Sequence, residues 1–182
     1  MFRNYLYLIM LAAVVCLLGL IAYADEIQVP ITSHALISNN QGKSNVLVSI
    51  PLPPQVNDSN LVFAQLAFPI TPQLAGDSIL RIDCFRVTAT WNSQNVSWTS
   101  PWRNPGGDYD TSAAPIMFTT ATPDLRNAYF DITNVVKSWL TANRQNHGLI
   151  FVVPNNIESR FAPNSAPSSP NNSLGTLKIL IR

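Results

Sequence analysis

Chemistry in this chain has to be sought first between Pro101 and Thr111, where Trp102, Arg103, Asn104, Asp108 and Tyr109 crowd into one short loop around Gly106 and Gly107. Sugars offer apolar CH faces that stack on flat aromatic rings and hydroxyls that need amide, carboxylate or guanidinium partners. This loop supplies both kinds, so these five residues are the candidate ligand-binding set for a glycan. The competing reading is that Trp102 and Tyr109 fold back to plug an edge of the domain. Asp108 and Asp110 share one face if the segment is extended and are weak candidates for a Ca²⁺ site. That ion takes about 6–8 oxygens, and a solvated turn is the simpler assignment. No other cofactor is indicated.

Catalytic machinery is harder to find. Of the two histidines, His34 and His147, neither belongs to a metalloprotease helix motif, and the chain has no nucleophile elbow or phosphate loop. Asp83, Asp108, Asp110 and Glu158 are carboxylates without a defined pairing. The expectation is a protein that is not an enzyme. Basic residues are scattered and nearly balanced by acidic ones, 11 against 10, which argues against nucleic acid as a partner.

The elements that must position the loop follow from composition and alternation. Fourteen prolines against seven glycines, with 47% hydrophobic and 12% charged residues, fit short strands joined by many turns. Residues 1–24 read as a signal peptide or N-terminal membrane anchor. Arg3 precedes an uncharged apolar run that ends at Ala22-Tyr23-Ala24, a small-x-small cleavage pattern. The run approaches the roughly 17–25 residues of a membrane span, so an uncleaved anchor is the alternative, and membrane contact is expected only through it. Either form exports residues 25–182 as one domain, secreted or at the cell surface. Beyond the leader only Cys84 remains, so no internal disulfide forms, and the thiol reads as a small core residue.

Strands are expected at Ile27–Ile31 (an edge strand, from Pro30), Ala35–Ile37, Asn45–Ile50, Leu61–Ile70, Ser78–Thr90, around Val96 and Trp98, Ile116–Thr119, Asn127–Ile132, Leu149–Val153, Glu158–Phe161 and Leu174–Ile181. Turns fall at Asn39–Gly42, Asn57–Asn60 and Ala75–Asp77, and Ala162–Ser173 reads as a long loop. Neither alternate set of Ser78–Thr90 is cleanly apolar, so a bulge or a change of exposure is expected there. One helix is expected over Asn134–Asn143, with Thr133 as N-cap and Val135, Val136, Trp139 and Leu140 on one stripe. Gly148 falls where a left-handed turn is needed. Trp98 and Trp139 read as core residues, with Trp91 to Trp98 building the core against Trp139. The sum is an all-β protein, a β-sandwich of jelly-roll type with one short α-helix.

Trp91-x-x-x-x-Val96-Ser97-Trp98-x-x-Pro101, Phe130-Asp131-Ile132-Thr133-x-x-Val136-x-x-Trp139, Asn146-His147-Gly148-Leu149, Glu158-Ser159-Arg160-Phe161 and Leu177-Lys178-Ile179-Leu180-Ile181 together resemble the DNRLRE domain family, over nearly all of residues 25–182. The resemblance implies an exported cell-surface β-sandwich of carbohydrate-binding-module type, with a polysaccharide or surface glycan as partner. Ser93 stands where an acidic residue is common, and no family ligand residue carries over. The second functional expectation is a structural surface protein acting through protein contacts or self-assembly.

Overall fold

The structure, a computed structural model, describes residues 24–69, 79–120, 126–141, 144–152 and 174–182. The leader, the Ala75–Asp77 turn, the Glu158–Phe161 strand and the Ala162–Ser173 loop lie outside these residues.

Two antiparallel sheets form a sandwich. The chain builds β1 (Asp25–Ile31), β2 (His34–Ser38), β3 (Ser44–Val48), β4 (Leu61–Pro69), β5 (Leu80–Arg86), β6 (Ile116–Thr120), β7 (Asn127–Asp131), α1 (Thr133–Leu140), β8 (Leu149–Val152) and β9 (Gly175–Ile181). One sheet runs β1-β9-β4-β7 and the other β2-β3-β8-β5-β6. Apart from the β2–β3 and β5–β6 neighbours, successive strands alternate between the sheets, which is the eight-stranded jelly-roll order with β2 added at one edge. Pro30 sits on edge strand β1, where its missing N–H breaks no ladder.

Alternation explains the inner layer. Leu80, Ile82 and Cys84 of β5, Leu66 and Phe68 of β4, and Leu177 and Ile179 of β9 are all buried in one cluster between the sheets. In β4 the register shifts between Leu61 and Phe63, so an extra residue intervenes before Ala64 resumes the inward row. Rings span the two sheets: Phe151 of β8 lies 5.1 Å from Phe68 and 5.0 Å from Phe130, and Phe118 of β6 lies 5.9 Å from Phe130. Each such pair contributes about 0.5–1.5 kcal/mol beyond burial. Burial pushes the Cys84 thiol pKa far up, so it stays protonated packing.

Strand β8 and the Val46–Val48 run of β3 are apolar without interruption because both faces of their sheet are covered. Val46, Val48, Leu149 and Phe151 point into the sandwich, while Leu47 and Ile150 join a second cluster with Ile37, Val87 and Trp102. The cover is the irregular 88–115 segment, laid over the outer face of the five-stranded sheet, with Trp91, Trp98 and Tyr109 packed into the same cluster. This accounts for the mixed pattern of Ser78–Thr90. The strand ends at Arg86, Val87 bridges to Tyr109, and Phe85 packs outward at 4.9 Å from the Tyr109 ring.

Three expectations are corrected. Val96 and Trp98 lie on no strand, because residues 92–95 close a turn on the carbonyl of Asn92, which accepts from the N–H groups of Asn95 and Val96. The tryptophans do not form one core: Trp139 is buried between the sheets, and Trp91 to Trp102 occupy the outer cluster. Thr133 is not the N-cap; helix α1 begins on it, after Ile132. Its hydroxyl instead donates to the Asp131 carboxylate at 2.6 Å and accepts from the Ala64 N–H at 2.9 Å, fastening the helix to β4. The helical stripe is as expected, with Val136 and Trp139 buried and Val135 and Leu140 half-buried against the core.

Candidate functional site

Of the five loop residues singled out by composition, Trp102, Asn104, Asp108 and Tyr109 turn their side chains to contacts within the loop and its sheet, and Arg103 contributes its backbone N–H. Trp102 is only 7% exposed, and its indole Nε1 donates to the Ser97 carbonyl at 2.8 Å, so neither ring face is presented to solvent. Tyr109 lies against Phe85. Asp108 accepts from the backbone N–H groups of Arg103 at 2.8 Å and Asn104 at 3.0 Å and from the Asn104 amide at 3.2 Å. The Arg103 N–H, then desolvation working against it, then the Asn104 donors leave its pKa below the usual carboxylate range. The buried Asn45 amide donates to the Gly106 carbonyl at 2.7 Å and ties this closed loop to β3. Gly106 and Gly107 have φ of 96° and 113°, and a Cβ on Gly107 would come within 2.8 Å of Ile150.

Asp110 turns away from Asp108. Its carboxylate accepts from Ser112 and pairs with Arg86 at 2.8 Å and Arg144 at 3.4 Å. Among the described residues no group of three or more His, Cys, Asp or Glu side chains is placed to hold a metal ion. Arg86, Arg144, Asp110 and Asp131 line a cavity of about 340 Å³ beside α1, where two cations face two anions and Asp110 pairs with both arginines.

A different cavity, of about 380 Å³, opens at the end of the five-stranded sheet. His34 is opposite Val48, Val48 opposite Leu149, and Leu149 opposite Arg86, so this row marks the end of four neighbouring strands. The segments just beyond it converge: Ser33 before β2, Ser49 after β3, the 90–94 run after β5, and Asn146 and His147 before β8. Gly148 makes the convergence possible. Its φ is 84°, and a Cβ there would lie 2.1 Å from the Val48 carbonyl oxygen, so only glycine lets the chain enter β8 this closely against β3.

Two side chains shape the cleft by internal bonding. The Trp91 indole Nε1 donates to the His147 carbonyl at 2.7 Å, pinning the ring as one wall. Asn146 donates to the Ile50 carbonyl at 2.8 Å and accepts from the Gly148 N–H at 3.0 Å, so its amide is held at both its nitrogen and its oxygen. Around them stand groups with no side-chain hydrogen bond among the described residues: the hydroxyls of Ser33, Ser49 and Ser93 and the carboxamide of Gln94. Among the described residues of the lining His147 is the one titratable side chain, its Nδ1 3.4 Å from the Thr90 hydroxyl.

Of these residues Trp91, Ser93, Asn146, His147 and Gly148 enter the sequence patterns only as scaffold or motif. The cleft draws on four stretches far apart in the chain, and no local spacing joins Ser33 to Ser49, Gln94 and Asn146.

No protein-family model matches the chain, and no curated protein matches it.

Proposed function

We propose that this is an exported, non-catalytic β-sandwich domain that binds polysaccharide or another glycan through the Trp91 cleft. The observation that carries the reading is the lining itself: one aromatic wall fixed in orientation, surrounded by hydroxyl and carboxamide groups with hydrogen-bonding capacity to spare. A sugar ring needs this combination, an apolar surface for its CH face and mixed donors and acceptors for its hydroxyls. The cavity lies at the small end of the range of about 300–1,000 Å³ typical of small-ligand sites, enough for a short stretch of glycan. Glycoside hydrolysis needs a pair of carboxylates, and the lining supplies only one imidazole, which favours binding over turnover. The resemblance to the DNRLRE domain family and the apolar leader agree with a surface-exported glycan binder.

Affinity electrophoresis through gels containing mixed-linkage glucan, mannan or galactan tests the reading. At least one polymer should retard the protein, and Trp91→Ala should migrate freely while keeping its far-UV circular dichroism. Equal migration in every gel would overturn it. A second reading, self-assembly through protein contacts, draws on Val62 and Tyr129 of the four-stranded sheet, 40% and 51% exposed. A concentration-dependent mass in light scattering, lost in Tyr129→Ser, would favour that alternative.

A further inference from the structure

We infer that the Trp91 cleft is selective for neutral glycans and discriminates against uronate- or sulfate-bearing ones. This rests on the glycan reading and adds the ligand's charge class to it. None of the described residues that line the cleft is an Asp, Glu, Lys or Arg. The two arginines that flank its segments in sequence, Arg86 and Arg144, are both drawn to Asp110 in the other cavity, Arg86 at 2.8 Å and with its side chain only 14% exposed. Among the described residues, no Lys or Arg side chain therefore lines the cleft to receive a carboxylate.

The hydrogen-bonding inventory points the same way. Sugar hydroxyls both donate and accept, and so do the hydroxyls of Ser33, Ser49 and Ser93 and the Gln94 carboxamide. An ionised carboxylate or sulfate only accepts. In the cleft it could accept from the serine O–H and Gln94 N–H groups, but it would give up water without an ionic partner and would have no proton to offer the Gln94 carbonyl. The whole chain carries a formal net charge of only +1, so long-range electrostatics neither recruit nor repel a polyanion strongly. Selection is thus local to the lining.

A matched pair of polymers tests this. The neutral glycan that retards the protein is compared with the same glycan after oxidation of its primary hydroxyls to carboxylates, at an ionic strength of about 0.15 M to screen distant charges. Oxidation should weaken binding by about tenfold or more. Gln94→Lys should restore much of the binding to the oxidised polymer, while Gln94→Asn should not. Equal affinity of the wild type for both polymers would overturn the charge selection and leave the glycan reading standing. If no neutral or oxidised glycan is bound, the glycan reading and this inference fall together.

Discussion

Trp91 and His147, 56 positions apart in the chain, are joined by a 2.7 Å hydrogen bond from the indole Nε1 to the backbone carbonyl. The bond closes the segment that follows β5 onto the one that precedes β8, and it sets the aromatic wall of the cleft before any ligand arrives. Such preorganisation lowers the ordering cost of binding. Trp91→Phe keeps an aromatic face but leaves the His147 carbonyl without this donor. It should lower stability by about 0.5–1.5 kcal/mol and weaken glycan binding several-fold, whereas Trp91→Ala should remove binding. Urea denaturation read alongside binding isotherms separates the two effects.

Trp102 and Trp139 should behave as core residues of two different clusters. Emptying either site by substitution to alanine is expected to cost about 3–5 kcal/mol, read as a large drop in melting temperature. For Trp102→Ala, the molecules that remain folded should still bind glycan, because its ring fills the outer cluster and does not line the cleft. An unchanged melting temperature for either variant would show that its ring is not part of the packing described.

Gly148→Ala should be the most damaging single methyl group near the cleft. It forces a Cβ against the Val48 carbonyl and places an L-residue at φ of 84°. The loss should exceed about 1 kcal/mol, the size of an ordinary glycine effect, with β3 and β8 prised apart at their shared end. Hydrogen exchange should show faster opening at Val48 and Leu149 first.

Asp110 links stability to pH. Ser112, then Arg86, hold its pKa at about 2 against an ordinary value of 3.8. The folded value is depressed, so the stabilisation is fully present above about pH 4 and is lost as pH falls toward 2. Asp110→Asn should abolish that part of the acid dependence, leaving a flatter melting temperature between those limits. It should also lower stability at neutral pH, because Arg86 loses its partner in a largely buried position.

Much of the sandwich was legible because alternation and apolar runs report burial directly. Leu177, Ile179 and Ile181 mark one face of β9, Pro30 marks an edge, and the uninterrupted β8 run marks a strand covered on both sides. The alternation of Val96 and Trp98 misled for a related reason. Their side chains do pack against a sheet, but as part of a covering loop with no ladder of its own. Thr133 misled because its hydroxyl found a partner on β4, a contact no local pattern encodes. The cleft was invisible for the same cause, since strand register alone brings Ser33, Ser49, Gln94 and His147 to one end of the sheet. The aromatic loop at Trp102 drew attention by composition, yet its indole bonds to Ser97 and its Asp108 carboxylate accepts from Arg103 and Asn104 within the loop.

The measurement that bears most directly on the glycan-binding cleft is a titration of isotopically labelled protein with the retarding neutral glycan, followed by amide and indole resonances. Saturable shifts should concentrate in the Trp91 indole and the side-chain amides of Asn92 and Gln94, while the Trp102 indole and the Asn104 amide stay fixed. Shifts centred on Trp102 and Asn104, with the Trp91 indole unmoved, would contradict the account and return the site to the loop.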